Sequence, residues 1–501
     1  MTESQALGIV REKDREIVMI EHILSTLSWD METVLPEKAL GERAEQMAYL
    51  SALSHRALTD PLFTEALGTL EGKSLGLSDE AILRIRKQDA RKASMLPSSL
   101  VERISSETAK AHSAWIEARK RSDFSIFENS LSSLIGLTKD KALCIDPDKK
   151  PYDVLLDGYE EGMSMSIIDP VFSKLGSFLH GLQDRLSDKS VDSSFLSSGY
   201  DSQALHAFCL KVVGDMGFDA SRGAVGITAH PFTSTLGCDD VRISTRYTDP
   251  DLFDPIGSAM HEAGHALYEM AANKEPGLRG TCLAGGASTA LHESQSRSWE
   301  NLVGRSPAFW SFYYPELQKG QECLKGVSLE SFVKAINKVQ CSPIRVNADE
   351  VTYSLHIILR YEVEKAIFSG SVSVSDLPSF WNELSGKILG YTPESDSLGI
   401  LQDCHWAGGD FGYFPTYALG NIYSCQLLEA LYRDEGGKDS VDRALSEGRL
   451  SVVSGWQDDR IWSKGRLSRP SDLVLGITGS TLDAGPYMRY LESKCSAIHS
   501  I

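Results

Sequence analysis

The sequence predicts a mainly α-helical chain: one large unit, bilobed, with a small β element in its middle. Three observations carry this. Apolar residues recur at three- and four-residue steps through most of the chain. Alternating apolar and polar stretches, the mark of half-buried strands, are few. Pro and Gly punctuate the helical stretches, yet no linker is long enough to separate independent domains, so residues 1–501 are expected to form a single domain.

Taken in chain order, Ile17, Ile20, Leu24 and Leu27 form an apolar stripe, with Glu16, Glu21 and Ser25 between them. The same periodicity predicts helices around 77–120, 165–186 and 203–216, and DPDKKP at 146–151 marks a break. Asp240 to Arg246 reads as the best strand, with Val241, Ile243 and Thr245 on one face. Asp240 and Arg242 share the other face and are expected to pair. Asp254 and Pro255 suit an N-cap and a first helical position, which predicts a helix from there to about Asn273. Turns at Pro276-Gly277 and Gly285-Gly286 precede a return helix ending near Gly304. Further helices are expected around 328–340, 350–368 and 423–448, and GRLSRPSD at 465–472 marks another break.

Composition narrows the function classes. A 501-residue chain with 42% hydrophobic content can bury a sizeable core. A net charge of −19 and a pI near 5.1 argue against nucleic acid, because phosphate binding relies on clustered Lys and Arg. The opening MTESQALGIVREKDREIVMI lacks a basic segment followed by an apolar run, so no secretory signal is expected. No stretch approaches about 20 apolar residues, so no membrane span is expected. Nine scattered cysteines without a CxxC pair read as reduced thiols in a cytoplasmic protein.

The chemistry centres on SAMHEAGHALYEM, residues 258–270. His261 and His265 are four residues apart, so on a helix their imidazoles lie on one face, one turn apart, and can meet one ion. Glu262 lies about 100° around that helix and can reach a water at the ion without ligating it. Such a pair needs a third protein ligand. LHESQSR at 291–297 offers Glu293, with the adjacent His292 as a rival on a different helix face. Two His and one Glu form a known catalytic zinc set that keeps a position open. Zn²⁺ is the expected cation, one per subunit, and Co²⁺ or Mn²⁺ suit the same donors.

Further stretches fall in a recognisable order: HPF (230–232), DVRIST (240–245), HEAGH (261–265), HESQ (292–295), IRVNAD (344–349) and GILQDCHW (399–406), flanked by LSWDMETVLP and FGYFPTYALGN. In these motifs the chain resembles the metallocarboxypeptidases of peptidase family M32, typified by the thermostable carboxypeptidase of Thermus, over roughly residues 20–495. One stretch departs from the family pattern: IWSKGRLSRP at 461–470, where a histidine is expected near the start. The resemblance implies a helical fold with a deep central groove, a homodimer, and metal-dependent removal of single C-terminal residues from peptides with broad specificity. A metallo-oligopeptidase cutting internal bonds is the alternative.

Roles follow from the resemblance and from what peptide hydrolysis needs. Glu262 is the expected general base. His405 and Tyr417, twelve residues apart, are the expected donors to the developing oxyanion, with Tyr413 as a second tyrosine near the substrate. Arg345 is the expected partner of the substrate's C-terminal carboxylate, since a guanidinium meets a carboxylate at two points. The competing reading of Arg345 is a surface ion pair with Asp349. His230, held extended by Pro231, is a candidate for substrate contact or groove shaping. A ligating His usually gives its second N–H to a carboxylate. In many His2Glu sites that acid follows the ligand Glu by four residues, but here the position is Arg297, which leaves Asp349 and Glu350 as candidates.

Overall fold

The computed structural model describes residues 1–228, 230–247 and 250–499. Among them are twenty-one α-helices and one three-stranded sheet. The helix Glu3–Thr33 starts on a capping box: the Thr2 hydroxyl accepts from the Gln5 amide, and the Gln5 side chain reaches back to the Thr2 amide. Its buried stripe includes Ile17 and Ile20, while Leu24 and Leu27 are half-buried.

Two apolar cores give the molecule its two lobes. A smaller one joins Glu3–Thr33 to the helices Leu40–Leu58, Pro61–Thr69 and Leu77–Met95, through residues such as Val10, Phe63 and Ile82. It also takes in Leu278, Cys282 and Leu283, from the loop after the HEAGH helix. The larger core holds the remaining helices and the sheet. Asp14 fixes that loop to the smaller lobe: buried in the Glu3–Thr33 helix, it accepts from Arg86 Nε (2.7 Å) and from the Cys282 amide (3.2 Å).

Several periodic stretches are broken where local chemistry demands it. The 77–120 stretch is two helices, Leu77–Met95 and Ser98–Arg121, divided at Pro97, which disfavours α geometry at Leu96. The 423–448 stretch divides into Pro415–Asp434 and Lys438–Ser446 at Gly436 and Gly437, both with positive φ. The 328–340 stretch holds only Leu329–Ile336 as α-helix.

The sheet has the order β1-β3-β2, with β1 (Gly223–Ile227) parallel and β2 (Thr233–Gly237) antiparallel to β3 (Asp240–Thr245). Val241, Ile243 and Thr245 of β3 are buried as their alternation predicts. On the other face Arg242 forms a two-point pair with Asp240 (2.7 and 2.8 Å). The sheet backs the HEAGH helix, Phe253–Ala272, and leaves β2 as the edge beside Glu262.

Candidate metal centre and active-site groove

The Phe253–Ala272 helix starts slightly earlier than Asp254-Pro255 suggested. Its first amide, Phe253, is met by the Asp251 carboxylate (2.8 Å), and Asp254 turns to Arg246 (3.2 Å). Fifteen of its twenty residues are buried, so it is an interior element against which others pack. Gly264 makes one approach possible: a Cβ there would lie 2.7 Å from Ser296 Cα and 2.8 Å from the Gln295 carbonyl oxygen. The return helix Thr289–Arg297 therefore crosses at backbone contact and delivers Glu293 to the two histidines. Gly420 does the same for the helix Pro415–Asp434, since its Cβ would lie 2.6 Å from Glu293 Cγ.

The outcome is a cluster of three donors. Glu293 Oε2 lies 3.7 Å from His261 Nε2 and 3.5 Å from His265 Nε2, and one donor atom from each residue falls within 4.8 Å of the others. Two imidazole nitrogens and one carboxylate oxygen converging in this way fit a divalent cation of the zinc type. His292, the rival ligand, is outside the cluster and meets the far edge of His265 instead.

The neighbours set the charge states. Burial opposes ionisation of Glu293, yet Arg297 and the histidines hold its carboxyl well below the ordinary range. Arg297 donates to Glu293 Oε1 (2.7 Å) and leaves Oε2 facing the histidines. Burial also lowers His265, to about 3, so it is neutral, as a ligand must be. His261 Nδ1 meets Glu300 Oε2 at 2.9 Å.

Neither Asp349 nor Glu350 is the carboxylate behind His261. Asp349 caps its own segment, accepting from Gln340, Val351 and Thr352, and Glu350 pairs with Lys494 (2.6 Å). Sequence reasoning misses Glu300, because the usual place for such an acid is one turn beyond Glu293. It lies seven residues on, two turns along the same face, where the helix passes into a π-helical segment, Ser298–Val303.

Two cavities meet the cluster, and their linings share Glu293. The first, about 780 Å³, holds His261, Glu262, Arg345, Tyr353 and Tyr417. The second, about 820 Å³, holds His265, His292 and Tyr413, and is walled on its other side by Val18, Glu21, His22 and Arg86 of the smaller lobe. Together they make the central groove.

Glu262 is 7% exposed, with its carboxylate accepting from the Thr233 hydroxyl (2.6 Å), and burial raises its pKa. Thr233 was another residue missed; it follows HPF directly and begins the edge strand. Arg345 is buried rather than on the surface, and Asp349 is not its partner. Its Nε and Nη2 donate to Asp403 Oδ1 (3.0 and 2.9 Å), and Nη1 donates to the Tyr353 hydroxyl (2.9 Å). Asp403 also accepts from the fully buried Arg360 (2.7 Å). Burial works against its charge, but the two guanidiniums hold it far below the carboxylate range.

His405 lies behind Tyr417, with Nε2 3.3 Å from the tyrosine hydroxyl, and burial lowers it to about 4. Burial, joined by Glu293, raises Tyr413 to about 12, and burial also raises Tyr417 well above its ordinary value. His230 is exposed beside Pro231, which lines the first chamber. The departing stretch 461–470 lies against the back of the centre: Trp462 Nε1 donates to Gln295 (3.0 Å), and the Arg466 amide donates to the Leu283 carbonyl (3.0 Å).

A helical scaffold that converges two imidazoles and a carboxylate in a groove, with a second glutamate beside them, defines a metallohydrolase of the peptidase kind. Comparison with known proteins narrows this. The family described as Carboxypeptidase Taq (M32) metallopeptidase matches residues 9–495, and the chain belongs to that family. It is 39% identical to Thermostable carboxypeptidase 1 of Thermus thermophilus over the full length of both chains. It is 37% identical to Carboxypeptidase 1 of Bacillus subtilis over 95% of each. The crystal structure of the M32 carboxypeptidase from Deinococcus radiodurans R1 superimposes with a TM-score of 0.95 at 35% identity, again over the whole of both chains. The protein is a metallocarboxypeptidase, a hydrolase of peptide bonds. No helix among the described residues is long and apolar enough to cross a membrane.

Proposed function

We propose that this chain removes single residues from the C-terminus of peptides, with broad tolerance for the residue released, and that His261, His265 and Glu293 hold one Zn²⁺ at which this occurs. The observation that carries the reading is that Arg345, Glu262 and Tyr417 line one chamber together with His261 and Glu293. When bound, the cation supplies Lewis acidity to the scissile carbonyl and to water. Glu262, aligned by the Thr233 hydroxyl, takes the water's proton and delivers it to the departing nitrogen. Tyr417, kept protonated by burial, donates to the developing oxyanion, and His405 orients the phenol from behind. Tyr413, in the second chamber, contacts the substrate on the other side of the cluster. Arg345, permanently charged and held by Asp403, receives the terminal carboxylate.

Broad tolerance is supported by the first chamber's mixed wall, where Phe253 and Ile336 accompany Asp254, Arg305 and Lys338. His230, exposed at the rim beside Pro231, shapes the entrance. The two lobes act as one domain over 1–501, supported by the 278–283 loop that the smaller core encloses. A cytoplasmic homodimer is the working form: nine free cysteines suit a reducing compartment, and the resemblance supports the dimer, which light scattering would check.

The deciding experiment is mass spectrometry of a matched peptide pair, one a free acid and one amidated. Stepwise loss of single residues from the free acid, with the amide left intact, is the expected result. Equal cleavage of both, or fragments from internal cuts, would favour the oligopeptidase reading instead.

A further inference from the structure

His265 and His261 are supported in different ways. His261 Nδ1 meets a carboxylate, Glu300, directly (2.9 Å). His265 Nδ1 meets another imidazole nitrogen, Nδ1 of His292, and only beyond it a carboxylate: His292 Nε2 lies 2.8 Å from Glu269 Oε1. The two rings are nearly coplanar, 27° apart with centroids at 4.6 Å, so they meet edge to edge through their nitrogens. Tyr268 stacks on the far face of this array, 5.5 Å from His292. Gly286 closes it, since a Cβ there would lie 2.2 Å from His292 Cδ2.

Proton bookkeeping fixes the direction of the chain. Glu269 accepts from the Gly286 amide (3.2 Å) and the Thr235 hydroxyl (3.2 Å), so it is an acceptor throughout, and the hydrogen shared with His292 belongs to His292 Nε2. With its hydrogen on Nε2 toward Glu269, His292 turns the lone pair of Nδ1 to His265. Only a donor can meet that lone pair, so His265 carries its hydrogen on Nδ1 and leaves Nε2 free toward Glu293. The opposite tautomer would aim an N–H bond into the metal site.

We propose that His292 is a positioning residue for the metal centre: with Glu269 behind it, it locks His265 in the tautomer that can ligate. This rests on the reading that His261, His265 and Glu293 hold the cation. The spacing agrees, because Glu269 follows His265 by one helical turn and His292 precedes Glu293 directly, so the helix pair that builds the centre also builds its support.

The test is the Zn²⁺ dissociation constant of the full-length protein, measured by competition with a chromophoric chelator. His292→Leu is expected to weaken Zn²⁺ about 10- to 100-fold, the usual cost of losing a partner behind a ligating histidine. His292→Gln, whose amide can accept from His265 and donate to Glu269, is expected to recover most of that loss. Wild-type affinity in His292→Leu, or a Gln variant as weak as the Leu variant, overturns the proposal. If His292→Leu does not fold, Glu269→Gln decides: severalfold weaker Zn²⁺ supports the chain, and unchanged affinity overturns it. Failure of the underlying reading looks different. In that case the wild type binds no stoichiometric Zn²⁺, or Glu293→Ala binds it undiminished.

Discussion

The two chambers that meet at the metal site are nearly equal in volume, about 780 and 820 Å³, but differ in how their side chains are held. The first is walled by groups locked from behind: Arg345 by Asp403 and Tyr353, Glu262 by Thr233, Tyr417 by His405. The second borrows a wall from the smaller lobe, which has its own core and contributes residues of both signs, among them Glu21, His22 and Lys92. The contrast fits a carboxypeptidase. On the proposed reading, the side that would receive the terminal carboxylate is rigid, and the side that would receive the rest of the peptide borrows its wall from the smaller lobe.

Substitutions should expose that asymmetry. The largest effect is expected from Glu262→Gln, which removes the proton carrier and should lower kcat about 10²- to 10⁴-fold while metal analysis still finds one bound cation. Next is Asp403→Asn. It leaves two buried guanidiniums facing a neutral amide, and calorimetry should show a loss of about 3–5 kcal/mol, the usual cost of stranding a buried charge.

The loop bearing His405 and Tyr413 makes a pH prediction. Glu364 accepts from Trp406 Nε1 (2.8 Å), the Gly412 amide (3.0 Å) and the Tyr152 hydroxyl (2.7 Å), and burial raises its carboxyl to about 7. Because its folded pKa exceeds the unfolded value, the folded state binds the proton more tightly between about pH 4.5 and 7. Its contribution to stability is therefore greatest below that window and declines as pH rises through it, by roughly 3 kcal/mol for a shift of this size. Denaturation across that range should flatten in Glu364→Gln.

Arg345→Gln should raise KM for free-acid peptides about 10- to 100-fold and abolish the distinction between acid and amide, as loss of a charged hydrogen-bond pair requires. Smallest of all, Lys92→Ala in the second chamber should change kcat/KM for short peptides by no more than about twofold, because Lys92 is only half-buried and a charge that water still reaches is worth little. A tenfold effect there would erase the proposed difference between the chambers.

Much of this was legible in the sequence, for physical reasons. β3 announces itself because its burial alternates, as with Val241 and Ile243, and the HEAGH helix because Asp254-Pro255 and the four-residue histidine spacing are local signals. Glu293 was reachable because a turn and a return helix can be read between it and His265. What was not legible depends on tertiary approach. Arg345 faces Asp403, 58 positions away, rather than its neighbour Asp349, and no periodicity reports such a pairing. The role of Gly264 appears only when the second helix is laid across it. Glu300 was within reach, two turns past Glu293 on one helix face, but the π-helical segment that carries it has no periodic signature.

The central claim is that one cation is shared by three named side chains, and an anomalous difference map from Zn²⁺-soaked crystals tests it most directly. The expected result is a single strong peak about 2.0–2.2 Å from His261 Nε2, His265 Nε2 and a Glu293 oxygen. A peak bound elsewhere, or one held by the histidines with Glu293 out of bonding reach, would contradict it.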